Sequence, residues 1–339
     1  MSISTDIPLI LSLIFIIGGL FVLAKSADVF VDAASVLARH FGLSPLIVGM
    51  VIIGFGTSAP EMAVSAIASA SGHADLSLGN AYGSNIFNIG IILGVTALFW
   101  PIKVKSSVNW FAVPLLLITS VLSWWAVRDG SFDRFNALGL LVAFAVLMPI
   151  YCWYDQREAK PLTAAEPVAA PTPTVPFSGI REWTRLVLGL AILVLSSHVM
   201  VWGCVDFARD VLHVSELLIG LTIVAAGTSL PELASSIASA RRGENEFVVG
   251  NIVGSNFFNA LVVVGVAGSI SPFSGFSGYI LTRDLPVMTF FSILIAVFGL
   301  NFRNPKKDGT INRLEGALWI VLFLAYLAYM IPQEARPVA

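Results

Sequence analysis

The chain has 339 residues, 57% of them hydrophobic and only 12% charged, with a mean hydropathy of +0.86. That is more apolar surface than a soluble fold of this length can bury, so its natural solvent is lipid. The net charge of -2 and pI of about 6.1 give no reason to expect a nucleic-acid partner, because the few basic residues fall in short loops between apolar runs.

The first apolar run, Pro8 to Leu23, follows Asp6 with no Lys or Arg before it, and continues into Val31 and Leu37 without a small-residue cleavage site. It reads as a span and not as a cleaved signal peptide. Runs and breaks together predict an all-α polytopic membrane protein of ten spans, at about 7–37, 44–70, 78–99, 108–127, 136–155, 183–211, 215–240, 249–270, 284–301 and 312–331. Cys152 and Cys204 fall inside spans, where a thiol behaves as a small hydrophobe, so no disulfide framework is expected. Between the fifth and sixth spans, Glu158 to Gly179 carries Pro161, Pro167, Pro171, Pro173 and Pro176 and reads as an extended linker. The chain divides accordingly into a first five-helix repeat at 1–157, a linker at 158–180 and a second repeat at 181–339.

Loop charges set the expected orientation. Arg39, Lys103, Lys105, Arg157, Lys160, Arg181, Arg185, Arg241, Arg242, Arg303, Lys306, Lys307 and Arg313 fall on one side, and Arg128, Arg134, Arg209, Arg283 and Arg336 on the other. The positive-inside bias then puts the linker in the cytoplasm and both termini outside it, in the inner (cytoplasmic) membrane. Each half has an odd number of spans, so the second enters from the opposite side, the inverted-repeat plan of many secondary transporters.

The halves match directly. A shift of 171 residues aligns Ser44 to Val95 with Ser215 to Val266 without a gap, identical at about 20 of the positions. Gly56-Thr57-Ser58-Ala59-Pro60-Glu61 matches Gly227-Thr228-Ser229-Leu230-Pro231-Glu232, and Gly79-Asn80-Ala81-Tyr82-Gly83-Ser84-Asn85-Ile86-Phe87-Asn88 matches Gly250-Asn251-Ile252-Val253-Gly254-Ser255-Asn256-Phe257-Phe258-Asn259. Shared hydrophobicity would have matched Leu and Val; these are polar residues inside apolar spans, which are costly there and mark function.

In each first block a Gly and a Pro within five residues must break or kink the helix. Broken backbone at membrane depth survives only where it is buried or lines a wet cavity, and it frees carbonyl oxygens. Thr57, Ser58 and Glu61, like Thr228, Ser229 and Glu232, add hydroxyl and carboxylate oxygens within about one turn. In each second block Asn80, Ser84 and Asn88, or Asn251, Ser255 and Asn259, share one helical face, with Asn85 and Asn256 beside it. Two carboxylates among neutral oxygens, without imidazole or thiolate, suit a hard cation, and Ca2+ better than Mg2+ because Mg2+ dehydrates reluctantly. The same carboxylates can hold Na+ or protons, and competition for one site couples two fluxes.

These doubled motifs resemble those of the calcium/cation antiporter superfamily, specifically the bacterial sodium/calcium exchanger type, whose repeats carry GTS-x-PE and G-N-x-x-G-S-N-x-x-N/D. The resemblance covers nearly the whole chain. It implies an antiporter and not an enzyme, with Ca2+ and Na+ as substrates, no cofactor and no obligate protein partner. It further implies ion sites between the second, third, seventh and eighth helices, and long first and sixth helices that slide across that core to alternate access. By motif position the ligands fall on Thr57, Ser58, Glu61, Ser84 and Asn88, on Thr228, Ser229, Glu232, Ser255 and Asn259, and on the carbonyls of Gly54 and Ala225. Members often carry Asp at one of the two final motif positions, whereas this chain has Asn88 and Asn259. Two formal charges balance one Ca2+ or two monovalent ions, so exchange less electrogenic than three Na+ per Ca2+, or H+ as counter-ion, is expected.

Plainer readings stand beside these. Lys25, with Asp28 and Asp32 further along its span, could neutralise a buried glutamate, although the matching position in the second half is Ser196. Gly49, Gly83, Gly220 and Gly254 read as close-packing positions, and Asn85 and Asn256 as either ligands or packing residues. His73, His198 and His213 are unmatched between repeats and read as bystanders, and Arg241-Arg242-Gly243-Glu244 as a solvated turn. A channel would need a filter loop and a hydrolase a nucleophile with its base or an H-E-x-x-H motif; none is present. The linker is too short for a regulatory Ca2+-binding domain of about 100 residues.

Overall fold

The computed structural model describes residues 9–106, 108–158, 178–210, 225–301, 304 and 307–334. Most of the expected linker, residues 215–224 of the seventh expected span, Lys160, His213, Arg303, Lys306, Arg336 and both chain ends lie outside the described residues, as do the side chains of Cys204, Arg209 and Ala225.

Helix α1 runs Leu9–Phe41. Ser44 then caps the next helix by accepting from Ile47 N at 3.1 Å, with Pro45 in the first turn where a missing donor costs nothing. This helix, α2 (Pro45–Thr57), meets α3 (Ala59–Ala70) at a 44° bend. The bend has an identifiable cause: Ser58 leaves the helical region at φ -82, ψ 5, and Pro60 has no N–H for the turn before it. The chain continues through α4 (Ala74–Phe99), α5 (Trp110–Val127) and α6 (Arg134–Arg157). After the linker come α7 (Gly179–Asp210), α8 (Ala225–Thr228) and α9 (Leu230–Arg241), the last two separated by Ser229 at φ -90, ψ 8 in front of Pro231. Then follow α10 (Asn245–Ile270), α11 (Ile280–Gly299) and α12 (Arg313–Glu334). Gly72 (φ 78) and Gly243 (φ 73), 171 positions apart, end α3 and α9 in the left-handed turn that glycine adopts without steric cost. Among the described residues eight helices are long and apolar enough to cross a membrane, nine if the bent pair α2 and α3 counts as one span. Of the seventh expected span, α8 and α9 are the described part.

Two features escaped the sequence reading. Among the described residues five stretches wind as π-helix, including Asn88–Leu93 and Asn259–Val263, each starting at the final Asn of its motif. Among the described residues four short strands pair as two ribbons: β1 (Ile102–Val104) with β4 (Gly309–Ile311), and β2 (Ser131–Phe132) with β3 (Phe273–Ser274), both antiparallel.

The loop contacts sort into two ends. At one, β1 pairs with β4, Lys105 bridges Glu246 at 2.7 Å, Ser106 N bonds Asp308 Oδ1 at 3.1 Å, and Ser44 Oγ donates to Asp155 at the end of α6. At the other, β2 pairs with β3, Gly275 N bonds Gly130 O at 3.0 Å and Ser277 N bonds Asp75 Oδ1 at 2.6 Å. The first end carries Lys103, Lys105, Arg157, Arg181, Arg185, Arg241, Arg242 and Lys307, eight of the basic residues read from the loops as one set.

Between the ends, α2 and α10 cross with backbone nearly touching backbone: a Cβ added at Gly250 would meet Leu46 O at 2.6 Å, and one at Gly254 would meet Met50 O at 2.5 Å. Outside them α1 and α7 pack side by side, Gly189 against Phe30 and Gly203 against Ser12. Their outer faces expose Ile10, Ile14, Ile17 and Phe21, and Val187, Leu188 and Leu195, as lipid contact requires.

Candidate functional site

The two helix breaks bring the repeated residues together. Glu61 and Glu232 are fully buried, as are Thr57, Ser229, Ser255, Asn88 and Asn259, with Ser58, Ser84 and Thr228 nearly so. Each glutamate is held by the serine of the other half: Ser229 Oγ donates to Glu61 Oε1 at 2.8 Å, and Ser58 Oγ to Glu232 Oε1 at 3.0 Å. Thr57 Oγ1 donates to Ile53 O at 2.9 Å, and Ser255 Oγ to Gly54 O at 3.3 Å. A hydroxyl has one hydrogen and two lone pairs, so these bonds commit the hydrogens of Thr57, Ser58, Ser229 and Ser255 to protein acceptors and leave oxygen lone pairs over.

The other oxygens are unused. Glu61 Oε2, Glu232 Oε2, Ser84 Oγ and Asn88 Oδ1 are buried without a hydrogen-bond partner, as are both amide atoms of Asn259. Such groups ordinarily cost stability unless something pairs with them, and concentrated around two carboxylates they call for a cation or protons. Among the described residues no Lys or Arg forms an ion pair with either glutamate: Lys25 Nζ instead lies 5.9 Å from the Phe21 ring centroid, so the neutralising role considered for it is not realised. Nor, among the described residues, do three His, Cys, Asp or Glu side chains converge, so the donor set is carboxylate, hydroxyl and amide oxygen, that of a hard cation.

The face shared by Asn80, Ser84 and Asn88 divides by duty. Asn80 Nδ2 donates to Glu61 O at 3.1 Å and Ser65 Oγ at 2.9 Å, whereas Ser84 Oγ and Asn88 Oδ1 stay free. Asn85 and Asn256 bond across the halves, Asn85 Nδ2 to Asn256 O at 3.1 Å and Asn256 Nδ2 to Asn85 O at 3.4 Å, and Asn256 Oδ1 accepts from Asn88 Nδ2 at 3.0 Å. These two are joints between the halves. The Arg241 to Glu244 turn also does more than face solvent. Arg242 donates to Asp28 O at 2.6 Å and lies 3.5 Å from Asp32, Ser35 Oγ donates to Glu244 Oε1 at 2.9 Å, and Arg185 of α7 bridges Asp32 and the buried Glu182. The partners are far apart in sequence, so no local pattern announced them.

The family described as sodium/calcium exchanger protein matches residues 11–153 and 182–331, most of the chain and both motif pairs. The chain belongs to this family. The family is one of exchangers, transporters and not enzymes, which supports antiport of cations including Ca2+ by a multi-pass membrane protein. Similar members include CaxA of Alkalimonas amylolytica, 40% identical over 94% of this chain and 98% of its own length. The inner membrane protein YrbG of Escherichia coli is 37% identical over 95% and 97%, and the sodium/calcium exchanger MaX1 of Methanosarcina acetivorans 28% identical over 92% and 96%. A structure of the sodium-calcium exchanger NCX_Mj soaked with Na+ and Sr2+ covers 95% of the chain and 99% of its own, at 28% identity and a TM-score of 0.77.

Proposed function

We propose that this chain exchanges Ca2+ for Na+ across the inner membrane, admitting its ions alternately from the two sides to one oxygen-lined site. The observation that carries the reading is the crossed pair Ser58–Glu232 and Ser229–Glu61, with a free carboxylate oxygen on each glutamate. Glu61 and Glu232 supply the charge. Thr57, Ser58, Ser84, Asn88, Thr228, Ser229, Ser255 and Asn259, with the Gly54 and Ala225 carbonyls, supply neutral oxygens. The names of MaX1 and NCX_Mj support Na+ as the counter-ion.

The site sits between two inverted five-helix repeats, 1–157 and 181–339, that together make ten spans, with the linker 158–180 and the basic end in the cytoplasm and both termini outside. The reciprocal bonding supports this: the serine–glutamate and asparagine–glutamate contacts recur 171 positions on, and at the breaks the halves exchange partners, as an in-plane two-fold relation requires. Substrate ions compete for one pair of carboxylates. With Asn at both final motif positions the site has two formal charges, which favours two monovalent ions, Na+ or H+, per Ca2+.

Ca2+ uptake into vesicles under separate Na+ and pH gradients tests the reading in the wild type, Glu61→Gln and Glu232→Gln. A Na+ gradient should drive uptake, and each variant should lose at least about tenfold in rate, the effect of roughly 1.4 kcal/mol in ion binding. Unchanged flux in both variants overturns the site; uptake driven by pH alone replaces Na+ by H+. Strong dependence on an imposed membrane potential would rule out electroneutral exchange.

A further inference from the structure

We infer that Asn80 and Asn251 are positioning residues: each holds a site glutamate by its backbone and does not itself bind the ion. The inference rests on the proposed reading of Glu61 and Glu232 as the charged ion ligands, and says what fixes them.

Each glutamate stands in the first turn of a 12-residue helix that begins at a break. Pro60 and Pro231 bring no N–H to that turn, so each break carries fewer backbone bonds than a continuous helix. The carbonyl of each glutamate is in addition tied from outside its own helix, in both halves by a motif Asn. Asn80 Nδ2 reaches Glu61 O at 3.1 Å and Ser65 Oγ at 2.9 Å, one turn further on. Asn251 Nδ2 reaches Glu232 O at 3.1 Å, Ser235 Oγ at 3.1 Å and Ser236 Oγ at 2.9 Å. Asn80 and Asn251, Glu61 and Glu232, and Ser65 and Ser236 are each separated by 171 positions, so the clamp is built twice.

Both clamps are distinct from the ligand set. Buried atoms without a hydrogen-bond partner occur on Ser84, Asn88, Asn259 and both site glutamates, and on neither Asn80 nor Asn251. The Asn251 amide hydrogens are engaged within its own half, while its Oδ1 lies 3.3 Å from Thr57 Oγ1 of the other half. One side chain therefore reaches from the Glu232 backbone to the neighbourhood of Thr57. The chemistry demands an amide: an Asp has no donor and would turn a carboxylate oxygen toward the Glu232 carbonyl, and a Ser is too short to span one helical turn.

Ca2+ as the only added ion separates the roles, using Asn80→Asp and Asn251→Asp in the full chain and reading the concentration for half-maximal uptake, the maximal rate, and the unfolding temperature with and without Ca2+. An ion ligand would gain charge on becoming Asp, so half-saturation would stay or fall. A positioning residue loses its clamp: half-saturation should rise about tenfold or more, with the maximal rate less affected and the Ca2+-induced rise in unfolding temperature reduced. Should the Asp variants not fold, Ser235→Ala combined with Ser236→Ala removes two anchors of the same amide and should raise half-saturation about threefold to tenfold. Tighter or unchanged Ca2+ dependence in the Asp variants, or no change in the double Ser variant, overturns the inference. Failure of the site reading looks different, since Glu61→Gln and Glu232→Gln would then keep wild-type Ca2+ dependence.

Discussion

Gly254→Ala should damage transport through the backbone alone. The added Cβ would lie 2.5 Å from both Cα and O of Met50, where ordinary contact begins at 3.4 Å, and both obstacles are backbone that cannot rotate away. To accept it, α2 and α10 must separate by roughly an ångström, since overpacking in a close crossing is relieved only by such shifts. The neighbouring bond from Ser255 Oγ to Gly54 O is already 3.3 Å long, so that separation breaks it. Overpacking of this kind costs roughly 1–3 kcal/mol and the lost bond about 1 kcal/mol more. Because Thr57 rides on α2 and Ser255 on α10, the shift also pulls apart oxygens from the two halves, and the Ca2+ concentration for half-maximal uptake should rise at least about tenfold. Uptake into proteoliposomes and thermal unfolding in detergent measure the two effects. Gly139→Ala is the control, since its Cβ would meet the Trp125 ring at an ordinary 3.5 Å. A Gly254→Ala protein within twofold of wild type in uptake and equally stable would show that the crossing does not set the site.

The ion pairs at the basic end give two further outcomes. Arg185→Gln leaves the buried Glu182 with Arg181 alone and Asp32 with Arg242 alone; because the Arg185 side chain is 35% exposed, the expected loss is roughly 1–3 kcal/mol, below that of a fully buried pair, and an unfolding temperature within a degree of wild type would refute it. Glu244, immediately before α10, has its carboxyl pushed up by burial against the opposing pull of the Ser35 hydrogen bond and of Arg242 and Arg39, with Asp32 adding to the rise. The folded chain therefore holds this proton more tightly than the unfolded one, and the stability it contributes is complete below the ordinary value of 4.5 and is lost as pH climbs through the raised pKa. Glu244→Gln keeps an acceptor for Ser35 and removes the titration, so it should gain on wild type in unfolding temperature as pH rises from 4 to 8; a gain that shrinks over that range would contradict the assignment.

How far the sequence reached follows from what each feature depends on. A carboxylate beside a proline in an apolar run is conspicuous alone, so Glu61 and Glu232 could be read directly, and the gapless 171-residue match tied them together. Which serine holds which glutamate was not readable, because identity between repeats is the same whether each half bonds to itself or to the other. Asn80 and Asn88 share a residue type and a helical face, yet one amide meets Glu61 O and Ser65 while the other keeps its oxygen free. That difference lies in the opposing helix, not in the local sequence. Arg242 looked solvated for the same reason: its partner Asp28 stands 214 positions away on α1. The ribbon strands have two or three residues each, too few for an alternating pattern to register.

The repeats also differ where the sequence makes them equal. Asn88 and Asn259 occupy the same motif position, and each begins a π-helical stretch. Asn88 Nδ2 is tied to Asn256 Oδ1 at 3.0 Å, and the Asn256 amide is itself oriented by its bond to Asn85 O, so Asn88 can offer only its oxygen to the site. Asn259 has no such neighbour and leaves both amide atoms unpartnered. An amide that can turn is able to face a cation with its oxygen, or a carboxylate with its nitrogen when no cation is there, and this is what a site needs if Glu61 and Glu232 are to remain buried while one ion leaves and another arrives. Two-fold repetition thus supplies the charges in pairs, and the break in that symmetry falls on a neutral side chain, where it changes orientation without changing the charge buried between the halves.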